Sequence, residues 1–215
     1  SGTRRATRSR TASSPAFSDG DPARFRAAGW WGDSTLSDAV RRNVEQAPDR
    51  PAYIDHAKTS LTWREFDGAA TCLAEMLAGS GVLRGDRVAV WHGDSAAVHV
   101  LFVAIERCGA VVVGIGARAG TREAAAILRT SAPKALISDE RHRGAAAEVA
   151  NELGVPALFL NHDGGTLRLD VDAEPKALTV DSELGPDDIF LINSTSGTTG
   201  LDRKSTRLNS SHGII

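Results

Sequence analysis

The sequence predicts an α/β protein: a mainly parallel sheet with helices on both faces. Three observations carry this. Apolar runs of strand length alternate with helix-period runs from about Ala52 to Asn193. One run, Ala110 to Ile115, is unbroken by any polar residue, as suits a strand covered on both sides. Cap and turn residues separate the successive runs. The composition permits such a fold: 215 residues, 41% hydrophobic and 24% charged, are enough to bury one core. It excludes a collagen-like, disulfide-framework or wholly disordered chain.

The elements follow in order. Leu36, Ala39, Val40 and Val44 recur at helical spacing behind Ser34 and Thr35 as a cap, and Pro48 ends that helix. Ala52 to His56 reads as a strand, with a second short strand at Ser60 to Trp63. Thr62-x-x-Glu65 is a capping box that opens a helix running to about Ser80. Leu73, Met76 and Leu77 form its inner face, and Gly81 caps its end. A strand at Arg87 to His92 leads to Asp94 as the cap of a helix with inner residues Val98, Leu101, Phe102 and Ile105. The strand Ala110 to Ile115, a helix at Thr121 to Thr130, a strand at Ala135 to Ser138, a helix at Arg141 to Leu153 and a strand at Ala157 to Leu160 continue the alternation. Leu167 to Val171 reads as a short antiparallel strand inside a polar connection, and Asp187 to Asn193 as the last strand.

Three zones are expected: 1–16, a basic tail that is disordered or out of context; 17–201, the folded part; and 202–215, a foreign tail. Arg4, Arg5, Arg8 and Arg10 give the first zone its charge, and Phe25, Trp30 and Trp31 pin the start of the second onto the body. Asp202 to His212 (DRKSTRLNSSH) coincides with an in-frame translation of a sequencing-library adapter. The expectation is that the biological sequence stops at Gly200 or Leu201 and that the chain is a fragment.

The stretch that carries chemistry is Thr195, Ser196, Gly197, Thr198, Thr199 and Gly200, just after an apolar strand. Its glycines permit close backbone approach, consecutive amides form an anion nest, and its hydroxyls add donors. Composition alone also fits a flexible linker. The preceding buried strand favours a polyphosphate loop, although G-x-x-x-x-G-K-[ST] is absent. Gly114-x-Gly116-x-x-x-Gly120 imitates a dinucleotide loop, with Asp139 near the place of its ribose acid, and is too imperfect to carry that reading.

Thr195-Ser196-Gly197-Thr198-Thr199-Gly200-Leu201 resembles the signature loop of the adenylate-forming superfamily. Leu61 to Trp91, with Gly81-x-x-x-Gly85-Asp86-x-Val88-Ala89, and His99 to Ile115 resemble the segments that precede it there. The resemblance runs from about Trp30 to Leu201 and makes the chain the N-terminal part of the large adenylate-forming domain. It implies an AMP-forming acid–CoA ligase. A carboxylic acid attacks the α-phosphate of Mg-ATP, pyrophosphate leaves, and coenzyme A takes the acyl group. Thr195 to Gly200 would hold the β- and γ-phosphates. ATP, Mg2+ and coenzyme A are the implied cofactors, the last two bound by residues beyond this chain. Gly29-Trp30-Trp31 and Gly114-Ile115-Gly116-Ala117-Arg118 resemble aryl and alicyclic acid–CoA ligases more than fatty-acid ones, which implies an aryl or alicyclic acid. Arg118 matches a common family arginine. Asp202-Arg203-Lys204 departs from the family's Pro-Lys, so Lys204 takes no role.

No residue is assigned to catalysis or to a metal, and the chain alone is expected to be inactive. A peptide-synthetase adenylation domain and a non-catalytic nucleotide-binding half-domain are the alternatives. The net charge of −2 argues against a nucleic-acid partner. Cys72 and Cys108, without CxxC or Cys/His spacing, are read as inert thiols in a reducing, cytoplasmic setting. No apolar run is long enough to span a bilayer, and no signal peptide is visible. His56, His92, His99, His142 and His162 show no triad or metal spacing and are expected at the surface or at strand ends.

Overall fold

The computed structural model describes residues 22–54, 60–163, 166–179, 183–194 and 203–207. The N-terminal tail, the Thr195–Gly200 stretch and most of the C-terminal tail lie outside these residues.

A short helix α1 (Pro22–Ala27) opens the described chain. It was not anticipated, because Pro-Ala-Arg-Phe-Arg-Ala has no apolar period. Aromatic contact holds it: Phe25 stacks on Trp31 at 5.0 Å and meets Trp30 at 5.8 Å. Helix α2 (Leu36–Gln46) starts at the expected cap, with Thr35 accepting from the Asp38 amide and Asp38 accepting from the Thr35 amide. Strands β1 (Pro51–Ile54) and β2 (Ser60–Thr62) pair antiparallel as a separate ribbon. Thr62 and Glu65 form the predicted capping box for α3 (Trp63–Gly79). Ser80 is the C-cap, and Gly81 follows at φ +87°, a conformation open to glycine at little cost.

The sheet comes next in sequence: β3 (Arg87–Trp91), α4 (Ala96–Arg107), β4 (Val111–Ile115), α5 (Thr121–Ser131), β5 (Ala135–Ser138), α6 (Arg143–Leu153), β6 (Ala157–Asp163), β7 (Thr166–Asp170), β8 (Ile189–Ser194) and β9 (Arg203–Arg207). Its seven strands lie in the order β7-β6-β5-β3-β4-β8-β9. The inner strands β6, β5, β3, β4 and β8 are parallel, and β7 and β9 close the two edges antiparallel. The predicted parallel α/β class is therefore present, with helices on both faces.

Several element boundaries differ from the sequence reading: β1 begins at Pro51, β6 runs on to Asp163 and β8 spans Ile189–Ser194. The N-cap of α4 is Ser95 rather than Asp94, and α6 begins at Arg143 because the residues after β5 first turn about Asp139. Strand β9 was also unforeseen. It falls in the stretch expected to be foreign, and it pairs with β8 from Ile189↔Arg207 to Ser194↔Arg203. A parallel strand at a sheet edge presents unpaired amides and carbonyls, and almost any extended segment can satisfy them.

The period-2 alternation sorts the core. Val88, Val90, Val112 and Ile137 pack toward α2, α3 and α4 with Phe66, Leu73, Leu77 and Leu101. Ala89, Trp91, Val113 and Leu136 face the other way, onto Ile127, Leu128 and Val149 of α5 and α6. Among the described residues no helix is long and apolar enough to cross a membrane.

A polar knot lies inside the first layer. Arg107, 4% exposed in its side chain, donates to Asp67 Oδ1 at 2.6 Å, Thr71 Oγ1 at 2.7 Å and Ser37 Oγ at 3.2 Å. Its neighbour Glu106 is fully buried, and Oε1 accepts from the Ser37 amide at 3.3 Å. Among the described residues Glu106 Oε2 has no partner. Burial pushes the Glu106 carboxyl up to about 7, against the partial relief of the Ser37 amide. Cys108, beside them, is a buried free thiol that donates to the Ala74 carbonyl, and burial pushes it up to about 12.

Two predictions follow from this packing. A Cβ on Gly79 would lie 2.1 Å from the carbonyl oxygen of Glu174, whereas Gly68 in the same helix has nothing within 4 Å. Gly79→Ala should therefore destabilise by about 1–3 kcal/mol, and Gly68→Ala should stabilise by about 0.5–1 kcal/mol, in urea unfolding. Glu106 binds a proton on folding, so stability should fall as pH rises from its ordinary value of 4.5 through about 7. The full penalty is on the order of 3 kcal/mol. Glu106→Gln should flatten that slope and raise the melting temperature at alkaline pH.

Candidate functional site

The sheet reverses direction at one point. From β3 the chain crosses over α4 to β4 on one side; from β4 it crosses over α5 to β5 on the other side of β3. The two helices pack on opposite faces, so the carboxyl ends of β3 and β4 open into a crevice. Parallel α/β sheets bind ligands at such a point.

A cleft of about 200 Å³ lies there, walled by residues that include Val90, His92, His99, Phe102, Gly114 and Asn193. The sequence shapes it at Gly114, which pairs with Asn193 across β4 and β8. A Cβ on Gly114 would sit 2.8 Å from Asn193 Oδ1, so only glycine lets the Asn193 amide lie against β4. Apolar residues line the depth of the cleft, and His92, Asp94, His99 and Asn193 supply its polar groups.

The two cleft histidines are held alike. His92 Nδ1 lies 2.6 Å from the Gly93 carbonyl oxygen, and His99 Nδ1 lies 2.8 Å from that of Ser95. A carbonyl can only accept, so Nδ1 carries the proton in each ring and Nε2 is the nitrogen left for a ligand. His99 also meets the Tyr53 ring at 5.1 Å.

Asp139, at the end of β5, braces the crevice from behind. Its Oδ2 accepts from the Gly93 amide at 2.9 Å, and its Oδ1 accepts from the His142 amide at 3.0 Å and meets His142 Nδ1 at 2.6 Å. His142 Nε2 reaches the carbonyl oxygen of Ala117 at 3.0 Å, and the ring stacks on Trp91 at 5.1 Å. One carboxylate thus joins the loops after β3, β4 and β5. Burial pushes the Asp139 carboxyl up, but the Gly93 and His142 hydrogen bonds outweigh it and hold the group below its ordinary range.

The expected phosphate-loop residues Thr195, Ser196, Gly197, Thr198, Thr199 and Gly200 lie outside the described residues. The structure does place β8, from which they continue, at the edge of the cleft. Arg118 is exposed in the loop between β4 and α5. Asp139, weighed as a ribose acid, is instead committed to Gly93 and His142. His142 is not a surface residue: it is buried, and His92 is nearly so. The Asp-x-x-His spacing of 139–142 was the one local signal for this brace. Among the described residues no three His, Cys, Asp or Glu side chains converge as metal ligands, so none is assigned to Mg2+.

The model for the AMP-binding enzyme family matches residues 40–202. The chain belongs to the AMP-binding enzyme family. It is 29% identical over 173 residues to 3-hydroxybenzoate–CoA/4-hydroxybenzoate–CoA ligase of Thauera aromatica, covering 78% of this chain and 33% of that one. Feruloyl-CoA synthase of an Amycolatopsis species is 33% identical over 161 residues, 74% of this chain and 30% of the relative. ATP-bound MatB from Rhodopseudomonas palustris superposes with a TM-score of 0.66 at 26% identity, covering 83% of this chain and 35% of that chain. The chain spans about a third of the length of these relatives.

Asp139→Asn should loosen the crevice without touching either core layer. We expect a loss of about 1–3 kcal/mol in unfolding free energy and faster amide exchange at Gly93 and His142. Because the carboxyl is held low, the wild-type advantage should be full at neutral pH and should fade as pH falls through the acid range.

Proposed function

We propose that this chain forms the nucleotide-phosphate side of an AMP-forming acid–CoA ligase. One observation carries the reading: β8 ends beside the switch-point cleft and continues directly into Thr195–Gly200. The amides and hydroxyls of such a stretch would stabilise the charge that develops on departing pyrophosphate. The substrate is a small carboxylic acid, and the hydroxybenzoate and feruloyl ligases among the relatives support an aryl acid. ATP-bound MatB supports ATP as the adenylyl donor, with pyrophosphate as the leaving group. Magnesium would arrive with the nucleotide, and coenzyme A would accept the acyl group. A cytoplasmic setting belongs to this reading and is supported by the free thiols of Cys72 and Cys108.

Binding is the direct test. At about ten times its Kd, Mg-ATP should stabilise the chain by roughly 1.4 kcal/mol, read as a rise in melting temperature. Gly197→Val, which replaces a glycine by a β-branched residue, should abolish the rise. The same chain should release no AMP in an acid-dependent assay. A melting temperature indifferent to Mg-ATP at millimolar concentration would sink the reading.

A further inference from the structure

We propose that the Glu106 carboxyl is a proton-operated latch: protonated, it holds the first turn of α2 against α4, and ionised, it releases that turn and, through Arg41, slackens Glu183 and Leu184. The proposal is independent of the ligase reading. Three contacts place Glu106 at the joint. Its Oε1 accepts from the Ser37 amide at 3.3 Å, in the first turn of α2. Its backbone carbonyl accepts from the Leu184 amide at 3.3 Å, in the segment before β8. Arg41 closes the triangle, bonding from α2 to Glu183 at 2.9 Å and 3.0 Å.

Burial decides what ionisation does there. Glu106 is fully buried, and among the described residues its Oε2 has no partner. A charge on that oxygen calls for water, and water enters past the wall that yields most easily. Helix α4 is buried along almost its whole length, whereas α2 is buried only at Ser37 and Val40. The first turn of α2 is therefore the wall that moves. The surrounding charges do not hold it. On α4, Arg107 favours the ionised form but is committed to Asp67 and Thr71 of α3 and to Ser37 Oγ. On α2, Asp38 pairs with Arg41, and Arg41 with Glu183. Glu183 opposes ionisation of Glu106, and Arg84 donates to the Glu183 carbonyl. Cys108, at the end of α4, stays a neutral thiol because burial pushes it up to about 12. Burial outweighs the relief from the Ser37 amide and Arg107 and holds the Glu106 carboxyl at about 7. In the released turn the group meets water and returns to its ordinary 4.5, so opening grows as pH rises from 4.5 to about 7 and is level above that.

The test is native-state amide exchange of the whole chain from about pH 4 to about pH 8, each rate divided by the intrinsic rate of a free amide at that pH. Protection of Ser37 should fall on the order of a hundredfold across the range and level off above about 7. Leu184 should lose protection over the same interval. Low urea should leave both rates unchanged, because a released turn exposes little surface, whereas Val88 and Val112 in the sheet should exchange more slowly and respond to urea. Glu106→Gln should keep Ser37 protected at every pH. The carboxyl 13C signal of Glu106 reports ionisation in the unmodified chain, so the result does not depend on any variant folding. If that signal titrates near 7 while Ser37 protection stays flat, the ionised carboxylate is accommodated in place and the proposal falls. If Ser37 exchanges only as slowly as Val88, with the same urea response, there is no local release and the proposal falls. A carboxyl titrating near 4.5, or a wild-type pH profile in Glu106→Gln, overturns it as well.

Discussion

Five parallel strands leave neither face of a sheet free to meet water, and this constraint organises the molecule. Both faces must be roofed by crossover helices, and a right-handed crossover places its helix on a face set by the direction in which the next strand is laid down. Because β4 is added on one side of β3 and β5 on the other, α4 and α5 must take opposite faces. The crevice between β3 and β4 is the unavoidable result. His92, Asp94 and Asn193 sit at or just past strand ends because there the backbone leaves the ladder, and His99 joins them from the first turn of α4. Asp139 answers the local problem this creates, supplying acceptors to the freed Gly93 amide and to the first turn before α6.

The segment that leads into β8 is held differently. Glu183 pairs with Arg41 of α2 at 2.9 Å and 3.0 Å, Asp187 pairs with Arg26 of α1, and Asp188 pairs with Arg84 at 2.5 Å. Arg84 also donates to the Glu183 carbonyl, and Asp188 accepts from the Gly185 amide at 2.7 Å. Leu184 is the apolar anchor of the segment, buried against the layer that contains α4. Three arginines from three parts of the chain thus set where the last parallel strand begins, and so where its far end delivers Thr195.

Much of this was legible in the residues. Thr35 and Thr62 announce their helices because a capping box is a local device, complete within four residues. The parallel sheet was legible because each of its strands carries an apolar run. Helix α1 was not, since its hold is an aromatic contact with Trp30 and Trp31 beyond its end. Strand β9 was not, because an open edge selects it rather than any pattern of its own. The position of Thr195–Gly200 after an apolar run was visible, but the cleft beside that run was not. His92 and Asp139 stand 47 residues apart, and only the crossover through β4 brings them together. A histidine's role there is set by which carbonyl its Nδ1 faces, and no spacing rule records that.

The arginine ties and the Glu106–Arg107 knot differ in their response to the medium. In the knot Arg107 and Glu106 are buried and only Asp67 is partly exposed, so dissolved ions reach it less. The pairs at 183–188 are partly or largely wet, and mobile ions screen such charges over about 8–10 Å at physiological strength. Ionic strength therefore acts on this molecule selectively. It leaves the packed layers unchanged while slackening the tether upstream of β8, so the placement of the last parallel strand becomes a property of the buffer as well as of the fold.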